Sequence, residues 1–353
     1  MMLIARRTIP AVLAGVAVLL NAGCASAAKA PPDPKRYEYT HQQMGTYFRI
    51  VLYSHDEAKA KEAAKAAFDR IDELNAIFSD YDPHSEVSKL SASSGGDRAV
   101  KLSDDLWKML READRFARMT DGAFDVTVGP VVDVWRWARR NRQMPPQDRL
   151  DAAIKAVGYD KITFDEEKQT ATLKAEKMKI DLGGIAVGWT LDDVMKSLKE
   201  KGFTQVLLDG GGDILVGDAP PGKEGWRIGV APLNAKDGPP SRYIILTHGA
   251  ITTSGDMWRF IEIDGKRYSH IVDPKTGLGL TDHSSVTLIS KDALTADALA
   301  TAVSVLGPTK GLELVEKTEG VAAIILREPG KEVETYESKR VKDLKIEVPG
   351  EKK

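Results

Sequence analysis

The sequence predicts an α+β fold of mainly antiparallel sheets packed with helices, and three observations carry that expectation. Short apolar runs alternate with polar residues and are punctuated by glycine turns, which reads as hairpins. Pairs of amphipathic stretches with helical spacing separate these hairpins. The strict strand and helix alternation that builds a parallel sheet is missing. With no fixed-period repeat and no linker after residue 40, one compact domain is expected over residues 40–345, followed by a charged tail at 346–353.

The elements follow in order. "YFRIVLYS" (47–54) alternates like a strand, and "DEAKAKEAAKAAFDRIDELNAIFS" (56–79) is rich in good helix formers. A second helix is expected over 103–120, with Ser103 as its N-cap, and a third over 146–158. "KITFD" with "TATL" reads as a hairpin, "KIDL" (179–182) as a further strand, and "TQVLLDGGGDILVGD" (204–218) as two strands around a glycine turn. "WRIGVA" and "YIILT" follow as strands, and "RFIEIDGKRYSHIVD" (259–273) turns at Asp264-Gly265, a strong hairpin signal. "SSVTLIS", a helix over "TADALATAVSVLG" (295–307), another near 309–318 and "VAAIIL" complete the domain.

Residues 1–23 read as an export signal: Arg6 and Arg7, an apolar stretch from Ile9 to Leu20 too short to span a bilayer comfortably, then small residues. Cys24, the only cysteine, follows at once, where bacterial lipoproteins are cleaved and acylated. Asn21 stands where an apolar residue is usual, and cleavage near "ASA" (25–27), leaving a soluble periplasmic protein, is the alternative. "APPDPKR" (30–36) lies in a flexible, proline-rich spacer expected over 24–39. A hydrophobic content of 42% with 29% charged residues suits a folded globular protein, and a net charge of -2 argues against nucleic-acid binding.

Four segments combine glycine with acid: "DGAFDVTVGPVVDVW" (121–135), "DLGGIAVGW" (181–189), "DGGGDI" (209–214) and "TSGDMWRF" (253–260). Each alone is accounted for by a turn, but four together point to a phosphorylated ligand, because glycine lets backbone amides approach an anion. "KIDLGGIAVGWTLDDVMKSL" enters a helix through glycines, as phosphate sites do. It lacks the lysine of a P-loop and the spacing of a dinucleotide fingerprint, which disfavours both.

Two side-chain arrangements admit both a structural and a chemical reading. In "RYSHIVDPKTG" (267–277), His270 sits near a strand end as a satisfied structural group or as a general base. Asp297 and Thr301, at i and i+4, share one helix face. Acids favour a helix's first turn and threonine can bond back to a carbonyl, yet oxygen ligands of this kind also suit Mg²⁺.

Taken in order, "MGTYFRI" (44–50), "FSDYDPHSEVSKL" (78–90), "DGAFDVTVGPVVDVW", "IDLGGIAVGW", "LLDGGGDILVGD", "ITTSGD", "YSHIVDPKTG" and "ADALATAVSVLG" resemble the FAD:protein FMN transferase (ApbE) family. The resemblance spans roughly residues 40–310. It implies an ApbE-like, T-fold-like domain in a membrane-facing bacterial enzyme that binds Mg²⁺ and takes FAD as substrate. Such enzymes move FMN onto a threonine or serine of a target, here expected to be an exported redox protein, with release of AMP. FAD hydrolysis to FMN and AMP, or non-catalytic FAD binding by a lipoprotein, are the alternatives.

By motif, the resemblance implies that Met44, Tyr81, Ala123, Phe124, Asp125 and Asp181 line the flavin dinucleotide. It implies that the carbonyl of Gly184, with Asp297 and Thr301, holds the metal, and that His270 and Ile271 lie by the flavin or phosphates. His270 is then the base for the acceptor hydroxyl, with Asp297 contributing through the metal. One position departs from the family pattern: Val187 stands where a lysine is common, able to pack against the cofactor but not to pair with phosphate.

Overall fold

The strands alternate as their side chains demand, and the computed structural model assembles half of the sixteen described strands into one eight-stranded sheet. It describes residues 33–350, except 235–237, 258 and 331. The expected export signal, and Cys24 with it, lies outside the described residues. From Pro34 onward the chain forms one compact unit. The elements are β1 (Lys35–Gln43), β2 (Thr46–Ser54), α1 (Glu57–Phe78), α2 (Glu86–Ala92), β3 (Val100–Lys101), α3 (Asp104–Met119), α4 (Gly129–Asn141) and α5 (Gln147–Ala156). Next come β4 (Ile162–Asp165), β5 (Thr170–Leu173), α6 (Ala186–Glu200), β6 (Val206–Gly210), β7 (Ile214–Val216), β8 (Trp226–Val230), β9 (Arg242–Leu246) and β10 (Gly249–Gly255). The chain closes with β11 (Phe260–Ile263), β12 (Lys266–Ser269), β13 (Ser284–Ser290), α7 (Ala293–Lys317), β14 (Ala322–Arg327), β15 (Glu334–Glu337) and β16 (Lys345–Glu347).

The main sheet runs β1-β2-β6-β7-β10-β13-β14-β15, and every neighbouring pair is antiparallel. Its two faces follow from period-2 alternation. Phe48, Ile50, Leu52, Leu208, Val286 and Leu288 point toward α1, α6 and α7. Val51, Val216, Ile251, Ile289 and Ile324 point the other way, onto Trp226, Ile228 and Ile244 of the small sheet β16-β9-β8. Both faces are therefore covered, which is why β13 is buried over all but its first residue, Ser285, Thr287 and Ser290 included.

A third core seats the β11–β12 hairpin on α4 and α5. Ile261, Ile263, Tyr268 and Val272 pack with Val131, Trp135 and Leu150, and the Trp135 indole donates to the Gly277 carbonyl at 2.8 Å. This packing fixes the loop that follows β12, and so His270, against α4. The hairpin turns at Asp264-Gly265 with positive φ at both residues, as the sequence requires.

Four expectations change. The spacer does not run to residue 39, because β1 begins at Lys35 and pairs with β2 over nine residues, from Lys35 opposite Ser54 to Gln43 opposite Thr46. As an edge strand its polar alternation needs only one apolar side, which hides it in sequence. The charged tail likewise starts later than 346, since β16 pairs with β9. "KIDL" forms no strand: it makes a single bridge, Lys179 to Val128, while Lys179 and Asp181 are held by charges on α4. α4 is an unexpected helix, started by a Pro in its first turn, so Gly129-Pro130 opens a helix where it reads as a break. The two helices expected around 295–318 are present, meeting at a kink at Gly307 (φ 71°) before Pro308.

Candidate active site

The start of α6 and the start of α7 cross without side chains between them. A Cβ at Gly188 would lie 2.5 Å from the Ala293 carbonyl oxygen, so only glycine permits this approach. Asp192 on α6 then caps α7, accepting from the amides of Ala293 and Leu294 at 2.9 Å each, while Asp292 accepts from Thr295 at 2.7 Å. Burial pushes Asp192 up to about 6. Gly188→Ala is expected to cost about 1–3 kcal/mol through overpacking at backbone, read as a lower melting temperature. Unchanged melting would show that the crossing is looser than its geometry.

This crossing brings Asp297 to the first turn of α6. Its carboxylate is 5% exposed and accepts the Gly188 amide at 3.0 Å, one of the amides a helix start leaves unpaired. α6 has no side chain capping its own N-terminus. Burial above all, with the nearby charges of Asp213 and Asp192, holds the Asp297 carboxyl well above the ordinary carboxylate range. Asp213 is itself pushed up to about 7, by burial first and by Asp209 next. A Cβ at Gly184 would lie 2.9 Å from the Thr301 hydroxyl and 3.6 Å from the Phe124 ring. Gly184, Thr301 and Phe124 are thus in contact range, and Asp297 is one helical turn from Thr301.

These residues fit a hard cation. A buried carboxylate opposed by a single backbone amide, with a second acid nearby, lacks a counter-charge. A carbonyl and a hydroxyl beside it complete an oxygen donor set of the kind Mg²⁺ takes. Among the described residues no group of three or more His, Cys, Asp or Glu is arranged to hold a metal, so a donor set here must be mixed in this way.

Around this point the other candidates fall into two groups. Val187, on the first turn of α6, packs where a Gly210 Cβ would otherwise stand, 2.5 Å from that position. Met44, at the tip of the β1–β2 hairpin, meets the Thr190 hydroxyl at 3.7 Å. Asp181 takes the Gly183 amide at 2.8 Å and Arg136 at 3.2 Å, and burial raises its carboxyl. Arg136 also binds Asp80 at 2.5 Å and Asp133 at 3.1 Å, and the Tyr81 ring lies over its guanidinium at 4.1 Å. Tyr81 is 76% exposed, an aromatic face held on a fixed base.

Ala123 and Phe124 are buried, and the Asp125 carboxylate is occupied by its own neighbourhood. It accepts from the Thr127 amide and hydroxyl at 2.8 and 2.7 Å and from the Tyr159 amide at 2.9 Å. Asp125 therefore shapes the loop and leaves only backbone to a ligand.

His270 stands on the α4 side. Its Nδ1 lies 3.0 Å from the Arg259 carbonyl, which also accepts the His270 amide at 2.9 Å. A carbonyl only accepts, so Nδ1 carries the proton and Nε2 keeps its lone pair. Burial first, then the charges of Arg259 and Arg139, push the imidazole down to about 4, so it is neutral and basic at Nε2 at ordinary pH. Ile271 beside it is buried. Among the described residues no hydrogen bond or ion pair joins His270 to Gly184, Asp297 or Thr301. The link runs along α4, from Arg139 to Arg136 and on to Tyr81 and Asp181. Sequence reasoning missed Asp80, Arg136 and Arg139; the signal available was an arginine pair spaced i, i+3 behind Asp133 in "DVWRWARR".

An antiparallel sheet backed by helices, with the buried Asp297 carboxylate set against the start of α6, defines an α+β protein whose candidate site lies where α6 and α7 cross. The chain belongs to the ApbE family, whose pattern matches residues 44–325. An FAD:protein FMN transferase of Haemophilus influenzae is 31% identical over 86% of this chain and 90% of its own length. The ApbE protein of Thermotoga maritima superposes with a TM-score of 0.78 at 33% identity, covering 87% of this chain and 98% of that one. The flavin transferase ApbE of Vibrio cholerae superposes with a TM-score of 0.79 at 27% identity, covering 88% and 100%.

Proposed function

We propose that this chain is an FAD:protein FMN transferase that moves FMN from FAD to a threonine or serine hydroxyl of a target protein and releases AMP. The observation that carries this reading is the meeting of Asp297, Thr301 and Gly184 at the start of α6, in a chain of the ApbE family. Those three would hold Mg²⁺, which when bound supplies charge neutralisation at the diphosphate. The amides at the start of α6 favour the same charge, and Tyr81 offers its ring to an aromatic group of the dinucleotide. His270 Nε2 takes the proton of the acceptor hydroxyl as its oxygen bonds to the FMN phosphorus. The bond from that phosphorus to the AMP oxygen breaks, and AMP leaves with the electron pair.

The N-terminal segment ending at Cys24 supports export and a lipid anchor on the periplasmic side, with an exported redox protein as acceptor. Incubating the mature protein with FAD, Mg²⁺ and a domain bearing a candidate acceptor threonine tests the reaction. AMP with a flavin-labelled acceptor is the expected result. AMP with free FMN would make the protein a pyrophosphatase, and intact bound FAD would make it a carrier. Val187→Lys is expected to tighten FAD binding by about tenfold, the scale of one charge-assisted contact; an unchanged dissociation constant would remove Val187 from the determinants of affinity.

A further inference from the structure

We propose that Asp256 is a positioning residue for the transfer reaction: through Arg267 and the Arg259 carbonyl it holds the His270 imidazole with its proton on Nδ1 and its lone pair on Nε2. This role rests on the reading of His270 as the base. One acceptor orients that base. The Arg259 carbonyl takes the His270 amide at 2.9 Å and the Nδ1 proton at 3.0 Å. Arg259 lies between β10 and β11, and Asp256 stands three residues before it, directly after β10. Arg267 on β12 stands three residues before His270. Its Nε donates to the Asp256 carboxylate, and its outer nitrogen donates to the Asp256 carbonyl at 2.7 Å. The four residues thus close a circuit, by chain from Asp256 to Arg259, by hydrogen bonds to His270, by chain back to Arg267 and by hydrogen bonds to Asp256 again. The Arg267 guanidinium also lies over the ring of Phe260, the residue after Arg259, at 3.4 Å.

Asp256 fastens this circuit to the main sheet. It is 2% exposed, and its Oδ1 lies 2.7 Å from His283 Nδ1 and accepts the Ser284 amide at 3.3 Å. Its own amide donates to the Ser284 carbonyl at 3.4 Å, at the start of β13. A buried ion pair recovers little net stability, because desolvation of both groups offsets their attraction. What a guanidinium shared between a carboxylate and a carbonyl supplies is direction. Apolar packing of the hairpin on α4 is non-directional and does not choose between the two ring nitrogens of His270. The Arg259 carbonyl makes that choice, because a carbonyl only accepts, and Asp256 with Arg267 keeps it in place.

The test follows the imidazole signals of the full chain by nuclear magnetic resonance across pH, with His270 assigned from the His270→Asn spectrum. In the wild type, His270 should carry its proton on Nδ1 and titrate at about 4. In Asp256→Asn it should show both tautomers and titrate closer to the ordinary value of about 6.5. The two effects of this substitution have opposite signs. The Asp256 charge itself favours the imidazolium, so losing that charge alone moves the titration down, whereas release of the ring into solvent moves it up. Transfer from FAD to a domain bearing a candidate acceptor threonine should fall by about 10–10²-fold, the scale of a displaced reacting group, with FAD affinity kept within about twofold. In the His270→Asn background, Asp256→Asn should cost less than about twofold, since no base is left to place. Arg267→Lys keeps the charge but not the fork, and should give the same pattern at smaller size with the buried carboxylate retained. A ring titration unchanged or moved down in both variants, or a loss that adds in full to that of His270→Asn, overturns the positioning role. A His270→Asn variant that transfers at the wild-type rate overturns the base assignment instead, and this role falls with it.

Discussion

Asp297→Asn should abolish metal-dependent turnover, by roughly 10²–10³-fold or more on the scale of a lost electrostatic element at a reacting phosphoryl group, and should raise the melting temperature in EDTA. The second half follows from linkage. Burial holds the Asp297 carboxyl well above the ordinary range. From about pH 4 up to that raised value, the native state keeps a proton that the unfolded chain has released. Stability therefore falls as pH rises through the window, and asparagine, which never ionises, removes the penalty. Each kcal/mol recovered corresponds to about 2–4 °C. Added Mg²⁺ should stabilise the wild type and leave the variant unmoved. A variant that turns over normally, or gains as much from Mg²⁺, would show that the carboxylate is not a metal ligand.

His270→Asn should lower transfer by about 10²–10⁴-fold, the usual worth of a positioned general base, with FAD binding retained. The pH profile carries a sharper expectation. An imidazole pushed down to about 4 is already deprotonated at pH 5, so the limb of kcat/KM that belongs to this base should not begin near 6.5. A limb centred at 6.5 that vanishes in the variant would mean that the ring is solvated and free of the Arg259 and Arg139 charges.

The fold was largely legible because its cues are local. Ser103 caps α3, Asp264-Gly265 turns its hairpin, and apolar alternation marks β2 and β13. What stayed hidden depends on partners distant in sequence. β1 is a strand because β2 lies beside it, and "KIDL" is not one because its flank is filled by ion pairs to α4. In the candidate site, the i, i+4 spacing put Asp297 and Thr301 on one face, but the nearness of Gly184 to Thr301 spans more than a hundred residues and no spacing announces it. Asp125 illustrates the reverse: an acid in a glycine-containing segment looks free, yet Thr127 and Tyr159 consume it.

The β1–β2 hairpin has a mechanical consequence. β1 leaves the compact unit's first residue, Pro34, and runs without interruption to the turn at Met44, which touches α6. At about 3.4 Å per residue, nine residues of strand set the chain's entry point about 30 Å from that turn. A pull applied through the N-terminus would load the outermost ladder of the sheet, peeling one edge strand, before any strain reached the crossing at Gly188. A load at Pro34 and the crossing at Gly188 are thus mechanically insulated from each other by the length of a single strand.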